Sequence, residues 1–303
     1  MLTLASLNIM SLLRALPGNI AQGLIWGVMA MGLYITYKIL NFSDLTVDGS
    51  FATGAATAIA LLSTGHSIAV SMAAAFIAGA LCGFVTGFLH TVCKIAPILA
   101  GILTQIGLYS INLHILDNKA NKAINVDRIH LLISSRYINK AIPIALLIAV
   151  IIIVIMYWFF GTETGSSIRA CGNNETMSKA QGINTNVTKI MALCLSNGLV
   201  AFSGAMLAQY QGFADVQLGR GAIVIGLAAI IIGDVICTAI FKNEAELWVR
   251  LAFVLAGGII YYFAMGIVLW LKLPTNDMKL FTAVIVAIFL SLSNVRFRKK
   301  GDV

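Results

Sequence analysis

The segment GTETGSSIRACGNNETMSKAQGINTNVT, residues 161–188, is the one long polar stretch in the second half of a very apolar chain. Long apolar runs, IPIALLIAVIIIVIMYWFF and KIMALCLSNGLVAFSGAMLAQY, lie on either side of it. The pattern predicts two short helices, at 166–171 and 175–181, with an interruption at 172–174 and a left-handed stop at Gly182. We interpret the segment as a compact helix–turn–helix between two apolar helices. An ordinary connecting loop is the alternative.

The composition of the chain is that of an integral membrane protein. Of its 303 residues, 59% are hydrophobic and only 11% are charged, and the mean hydropathy is +0.93. A soluble domain carries roughly 25% charged residues, so this chain cannot cover a water-facing surface. The net charge of +8 suits a membrane protein with cationic loops and calls for no nucleic-acid partner. The five cysteines are scattered without a C-x-x-C pair, which indicates packing thiols and neither disulfides nor a metal site.

The apolar runs predict an all-α, polytopic helical membrane protein with one domain over residues 1–303. About nine segments, within a range of eight to ten, reach the length of ~20 residues that a span requires. Glycines 79, 83 and 87 repeat every fourth residue on one face of the third segment, where they let another helix approach closely. The predicted spans are 20–40, 40–65, 66–90, 96–116, 142–160, 189–210, 221–240, 248–271 and 280–294.

The orientation follows from the basic tail RFRKKGDV, which we expect in the cytoplasm. Counting back through nine spans places residues 161–188 in the cytoplasm, and the N-terminus and the loop 117–141 outside. That outer loop is cationic, which reflects either a miscounted span or a patch that receives an acidic partner. Its cations are Lys119, Lys122, Arg128, Arg136 and Lys140.

The second span begins with polar residues where the chain enters the membrane. Ionisable groups at that depth are costly and are therefore candidates for function. Non-helical backbone survives there only where it lines protein or water. The residues border the translocation route or cap a helix, for which Ser43 and Asp44 are both suited. They are Asn41, Ser43, Asp44, Thr46 and Asp48.

Other classes of protein are less compatible with the sequence. The four histidines lie at span edges or in loops, so no serine–histidine arrangement is apparent. Neither His-Glu-x-x-His nor a Walker A loop occurs, so we expect no enzyme activity and no nucleotide hydrolysis in this chain. A secondary transporter remains an alternative, although the mid-span charges that ion coupling needs are sparse.

Two motifs resemble those of one family of transport proteins. The run IRACGNNETMSKAQGIN, residues 168–184, resembles the cytoplasmic motif of bacterial ABC importer permeases of the branched-chain amino acid and ribose class. The run LNFSDLTVDGSF, residues 40–51, is similar to the start of the second helix in those permeases. Its Asp-Leu-Thr-Val-Asp-Gly form resembles the single-permease subgroup that is associated with tryptophan and tyrosine.

The resemblance implies a type II importer permease in the bacterial cell (inner) membrane. It implies a second copy of the permease, two cytoplasmic ATPase subunits that hold ATP and magnesium, and an extracellular binding protein; this chain itself would hold no cofactor. The implied cargo is an amino acid, with a sugar or nucleoside as the alternative.

The resemblance also implies roles for particular residues. Residues 161–188 would couple the permease to the ATPase, and the outer cations would dock the binding protein. The implied coupling residues are Ile168, Arg169, Gly172, Asn173, Asn174, Glu175, Lys179 and Gly182.

Overall fold

The computed structural model describes residues 9–126, 131–241, 245–271, 280–284 and 286–287. Ten α-helices, one π-helical turn, one 3₁₀ turn and two short strands are bounded within these ranges, and residues 280–284 and 286–287 are also helical. In chain order the elements are α1 (Ile9–Tyr34), a π-helical turn (Ile35–Ile39), α2 (Val47–Ser63), α3 (Ile68–Thr91), α4 (Pro97–Ile115), β1 (Asn121–Ala123), a 3₁₀ turn (Ser135–Tyr137), α5 (Ile138–Gly161), α6 (Glu163–Asn173), α7 (Glu175–Ala180), α8 (Thr185–Gln211), β2 (Phe213–Asp215), α9 (Ala222–Phe241) and α10 (Leu247–Trp270).

The described part of the chain contains seven helices that are long and apolar enough to cross a membrane. They are α1 with its π-helical turn, α3, α4, α5, α8, α9 and α10. The predicted class, a polytopic helical membrane protein, is confirmed. The count of nine is not: α2 has only 17 residues, and most of the predicted span 280–294 lies outside the described residues.

The predicted second span is only partly helical. Residues 41–46 are not helical, and Asn41 has the left-handed φ of 55°. Helix α2 begins deep in the bundle, because Gly49 packs against Gln105 of α4. Gln105 lies eight residues into α4, about 12 Å along it at 1.5 Å per residue. An extended segment therefore enters the bundle and continues as the shorter helix α2.

Helix α8 lies at the centre of the bundle, and α3 packs closely along it. A Cβ on Gly83 would lie 2.9 Å from the backbone nitrogen of Cys194, and one on Gly87 would lie 3.1 Å from the Cα of Ile190. Only glycine allows two backbones to approach to that distance. The predicted packing role of the glycine repeat in α3 is confirmed.

The two polar connections lie at opposite ends of the bundle. Strands β1 and β2 pair antiparallel, with Asn121 opposite Asp215, and close the end that we call the sheet end. Helix α5 starts from the sheet end and leads to α6 and α7 at the other end, called the α6 end. There Gly172 packs directly on the backbone of Ile39 and Leu40, where the π-helical turn finishes.

Candidate functional site

A buried polar cluster surrounds the point where α2 begins. Asp44 is only 2% exposed, and its carboxylate accepts hydrogen bonds from the backbone N–H of Thr46 (2.9 Å) and from Nδ2 of Asn197 (2.7 Å). The side-chain oxygen of Asn197 in turn accepts a hydrogen bond from the hydroxyl of Ser50. Because buried polar groups are costly unless they are paired, this cluster holds the start of α2 on the middle of α8.

A chain of threonine hydroxyls extends the cluster to two further helices. Thr46 lies 2.6 Å from Thr86 of α3, and Thr86 donates to Thr104 of α4 over 2.9 Å. Gly101 of α4 packs on the same segment, since a Cβ there would lie 2.8 Å from the backbone nitrogen of Leu45. The non-helical segment is thus fixed to α3, α4 and α8 together.

Asp48 acts as a cap, but for a different helix from its own. Its carboxylate accepts the backbone N–H groups of Gly221 (3.0 Å) and Ile223 (2.9 Å), at the start of α9. Helix N-termini leave such N–H groups without partners, and a carboxylate is well suited to bind them. Asp48 also lines a cavity of about 390 Å³ between α2 and α4.

The structure distributes the five residues at the start of the second span over three environments. Asn41 and Ser43 are exposed near the α6 end, whereas Asp44 and Thr46 are buried in the cluster and Asp48 is partly buried beside the cavity. Asp48 both caps α9 and lines the cavity. The assignment of these residues to a translocation path stays a prediction.

Within the segment 161–188, the helices have well-defined ends. Helix α6 begins three residues earlier than predicted and continues through Gly172 to Asn173. Asn174 is therefore the single residue that separates α6 from α7. The side-chain oxygen of Asn174 accepts the N–H of Met177 at 3.0 Å and caps α7. Gly182 has φ +82°, as the left-handed stop requires. These caps make the segment a defined pair of helices.

Several of the implied coupling residues are held by contacts within the chain. Ile168 is buried, and the guanidinium of Arg169 donates to the carbonyl oxygen of Phe160 at 2.8 Å. Glu175 forms ion pairs with Lys179 (2.8 Å) and Lys189 (2.7 Å). The hydrogen bonds from these two lysines lower the pKa of the Glu175 carboxyl from 4.5 to about 2.

The outward surface of α6 and α7 contains implied coupling residues and a residue that the motif did not suggest. Asn173, Asn174 and Lys179 are exposed there, as is Met177, with 60% of its surface accessible. Met177 is not among the residues predicted from the sequence. A large apolar residue on a short polar helix is the signal that could have indicated it, because such a residue suits a protein contact.

The cations of the sheet end are partly engaged with their neighbours. Lys122 pairs with Asp117 at 2.7 Å, and this hydrogen bond lowers the pKa of the Asp117 carboxyl. The ammonium of Lys140 lies 5.8 Å from the ring centre of Tyr137. Lys119 and Arg136 are exposed, and Arg128 lies outside the described residues. The docking role of these cations stays a prediction.

An ion-pair cluster joins three elements near the α6 end. Asp234 of α9 contacts Lys38 of the π-helical turn at 2.8 Å and Arg250 of α10 at 3.9 Å. Lys38 directly precedes Ile39, on which α6 packs. The cluster therefore connects the base of α6 to the last two long helices. Among the described residues, no group of three or more His, Cys, Asp or Glu side chains could hold a metal ion.

Apolar spans surround a buried polar cluster and carry a capped helix pair at one end, an arrangement that suits a membrane transport protein. The chain belongs to the family described as the permease component of branched-chain amino acid transport systems, which matches residues 18–292. It is thus a permease component and a multi-pass protein of the bacterial cell membrane.

Individual relatives agree with this class. The chain is 38% identical over 282 residues to a tyrosine transport system permease protein of Clostridioides difficile, covering 92% of this chain and 91% of the relative. It is 32% identical to an uncharacterised protein of Rickettsia prowazekii, with 91% and 95% covered. An autoinducer 2 import system permease of Yersinia pseudotuberculosis is 28% identical, with 69% and 58% covered. No solved structure matches the chain. The relatives from Clostridioides difficile and Yersinia pseudotuberculosis are permeases of transport systems.

Proposed function

We propose that this chain forms the translocation path of an ATP-driven importer for an amino acid, with an aromatic amino acid as the preferred cargo. The observation that carries the proposal is the 38% identity to a tyrosine permease over nearly the full length of both chains. The autoinducer 2 permease is less similar and matches a smaller part of this chain. A sugar or nucleoside is therefore the alternative cargo, and a secondary transporter is a more distant one.

The α6 end is the proposed contact with the ATPase. A rigid element transmits the movement of a partner to the spans that it joins, whereas a flexible loop would absorb it. The caps at Asn174 and Gly182 supply that rigidity, and the exposed Met177 and Asn173 supply a surface. In this proposal the α6 end faces the cytoplasm, and ATP and magnesium are bound by the ATPase alone.

The other proposed partners are a second copy of this permease and an extracellular binding protein. Residues 1–303 act as a single permease domain in this proposal. One such chain supplies half of a channel, which a homodimer would complete. The sheet end would face outward and receive acidic side chains of the binding protein through Lys119, Arg136 and Lys140, all of which are exposed. The membrane lipid surrounds the apolar outer faces of α3, α4 and α5.

Reconstitution tests the transport function. The permease, its ATPase and its binding protein are assembled in proteoliposomes, and uptake of labelled tyrosine is measured with and without ATP. We expect uptake that requires both ATP and the binding protein. Uptake of ribose in place of tyrosine would favour the alternative cargo, and uptake without ATP would indicate a secondary transporter.

Co-purification tests the ATPase contact separately. A glutamate at position 177 places a charge on the exposed face of α7, so we expect Met177→Glu to lose the ATPase during purification. Met10→Glu introduces the same change in the first helix, which starts at the opposite end of the bundle, and serves as the matched control. Equal ATPase yields from the two variants would contradict the assignment of the α6 end.

A further inference from the structure

The cavity between α2, α4 and the connection from β2 to α9 is lined by polar groups that still have hydrogen-bonding capacity for a solute. Its volume is about 390 Å³, and Val216, directly after β2, places it beneath the sheet end. In the proposed orientation it therefore opens toward the side from which a binding protein delivers its cargo. Its polar lining consists of Asp48, Gln105, Tyr109, Ser110, Asn112 and Arg220.

The cavity brings together one anion and one cation in a chain with few charged residues. The carboxylate of Asp48 accepts one backbone N–H on each oxygen, and each oxygen keeps a further lone pair for another donor. Arg220 is exposed, and within the described residues its guanidinium forms no ion pair or hydrogen bond. The cavity thus offers both signs of charge to a solute.

Asn112 is a second, independent indication of a ligand. Asn112 is 1% exposed and lines the cavity. Its side-chain oxygen nevertheless has no hydrogen-bond partner among the described residues. Buried side-chain acceptors of this kind are normally paired, so each exception calls for an explanation. The oxygen is shielded from solvent in this structure, so a rotation of the Asn112 side chain toward the cavity would bring it to a donor group on a bound solute.

We propose that this cavity is an entrance subsite for a zwitterionic amino acid. The guanidinium of Arg220 binds the carboxylate, the oxygens of Asp48 and Asn112 accept hydrogen bonds from the ammonium group, and the ring of Tyr109 contacts the cargo side chain. A solute with both charges matches such a site, whereas a sugar would leave Arg220 without a counter-charge. An aromatic cargo gains further from offset contact between rings. This inference rests on the proposed amino acid transport.

Three probes that differ by one charged group test the recognition directly. The complex of permease and ATPase, without the binding protein, is titrated in nanodiscs with tyrosine, tyramine (which lacks the carboxylate) or desamino-tyrosine (which lacks the ammonium), and binding is followed by saturation-transfer NMR. We expect saturable binding of tyrosine, and binding of each analogue that is weaker by about tenfold or more, because each loses a charge-assisted hydrogen bond. Equal binding of all three probes would overturn the proposal.

Substitution of the cation assigns the carboxylate contact to one residue. In Arg220→Gln we expect tyrosine and tyramine to bind alike, whereas desamino-tyrosine stays weaker than tyramine. Arg14→Gln removes an exposed arginine outside the cavity and serves as the matched control, with the preference for tyrosine retained. An unchanged preference in Arg220→Gln would overturn the proposal.

The uptake assay separates this proposal from the one on which it rests. ATP-driven tyrosine uptake by the wild type, together with no saturable binding that depends on Arg220, would overturn the subsite and leave the transport function standing. Absence of tyrosine uptake by the complete importer would overturn both.

Discussion

Alanine at Gly172 tests whether α6 drives the membrane helices through the π-helical turn. Gly172 has no room for a side chain: a Cβ would lie 2.8 Å from both the carbonyl carbon of Ile39 and the Cα of Leu40, and closer still to the Ile39 oxygen. Gly161 is the matched control, because a Cβ there has no neighbour within 4 Å. The two variants therefore differ in the contact and not in the chemistry of the substitution.

The size of the effect follows from the contact distances. Non-bonded carbon atoms lie about 3.5–4.0 Å apart, so the added Cβ of Gly172→Ala must move α6 away from the turn by at least about 0.7 Å (3.5 less 2.8). Overpacking of this kind costs about 1–3 kcal/mol. We call α6 docked when Gly172 rests on Ile39 and Leu40. If the cost falls on this docked state, the ratio of docked to undocked molecules decreases by about 5–150-fold.

Parallel measurements of tyrosine uptake and ATP hydrolysis in proteoliposomes give the number of cargo molecules transported per ATP. We expect this ratio to fall in Gly172→Ala, by at most the roughly 5–150-fold change in the docked population, and to stay unchanged in Gly161→Ala. A wild-type ratio in Gly172→Ala would refute the mechanical link between α6 and the turn. An equal decrease in both variants would refute it as well.

Three further substitutions test the cluster, the helix packing and the α7 ion pairs. Asn197→Leu removes a donor from the buried carboxylate of Asp44, so we expect a loss of about 1–3 kcal/mol, measured as a lower unfolding midpoint in detergent; an unchanged midpoint would contradict this role. Gly83→Val must push α3 away from α8 and should lower the same midpoint by a similar amount, whereas Gly107→Val, where a Cβ has no neighbour within 4 Å, should not. If the two valine variants have the same unfolding midpoint, the contact of Gly83 with α8 does not contribute to stability as expected. The lowered pKa of Glu175 means that its stabilisation is complete above about pH 4.5 and is lost as the pH falls toward 2. Since the side chain is partly exposed, we expect the ion pairs of Glu175 to contribute about 0.5–1 kcal/mol of stability. The wild type should then lose stability more steeply in acid than Glu175→Gln does. Parallel curves for the two proteins would contradict a stabilising role of the ion pairs.

The local features of this protein were predictable from the sequence because they depend on neighbouring residues. The apolar runs predicted the seven spans that the described residues contain, although not the count of nine. The left-handed stop at Gly182 and the close packing of Gly83 were predicted from residue type and spacing. The bounds of α6 were less accurate, since glycine and asparagine weaken a helix without always ending it. In α6 the packing of Gly172 on the π-helical turn favours continuation of the helix.

The partners of the buried polar groups were not predictable, because they come from distant parts of the chain. The sequence favoured Ser43 or Asp44 as the cap of α2, but Thr46 holds that position without a side-chain bond. Asp48 instead accepts backbone N–H groups at the start of α9, which lie 173 and 175 residues further along. Asn197, which binds Asp44 across 153 residues, lies in an apolar run that gives no sign of this role. Side-chain periodicity indicates which face of a helix is buried, but not which helix lies opposite.

The sequence by itself determined the membrane class, most of the spans and the family motifs, because hydropathy and turn chemistry act over a few residues. Only the tertiary structure decided that the polar start of the second span is non-helical and fixed to three helices, and that Asp48, Asn112 and Arg220 line one cavity. The physical reason is that a polar residue in an apolar span must find a partner, and the packing of the helices determines which partner is within reach.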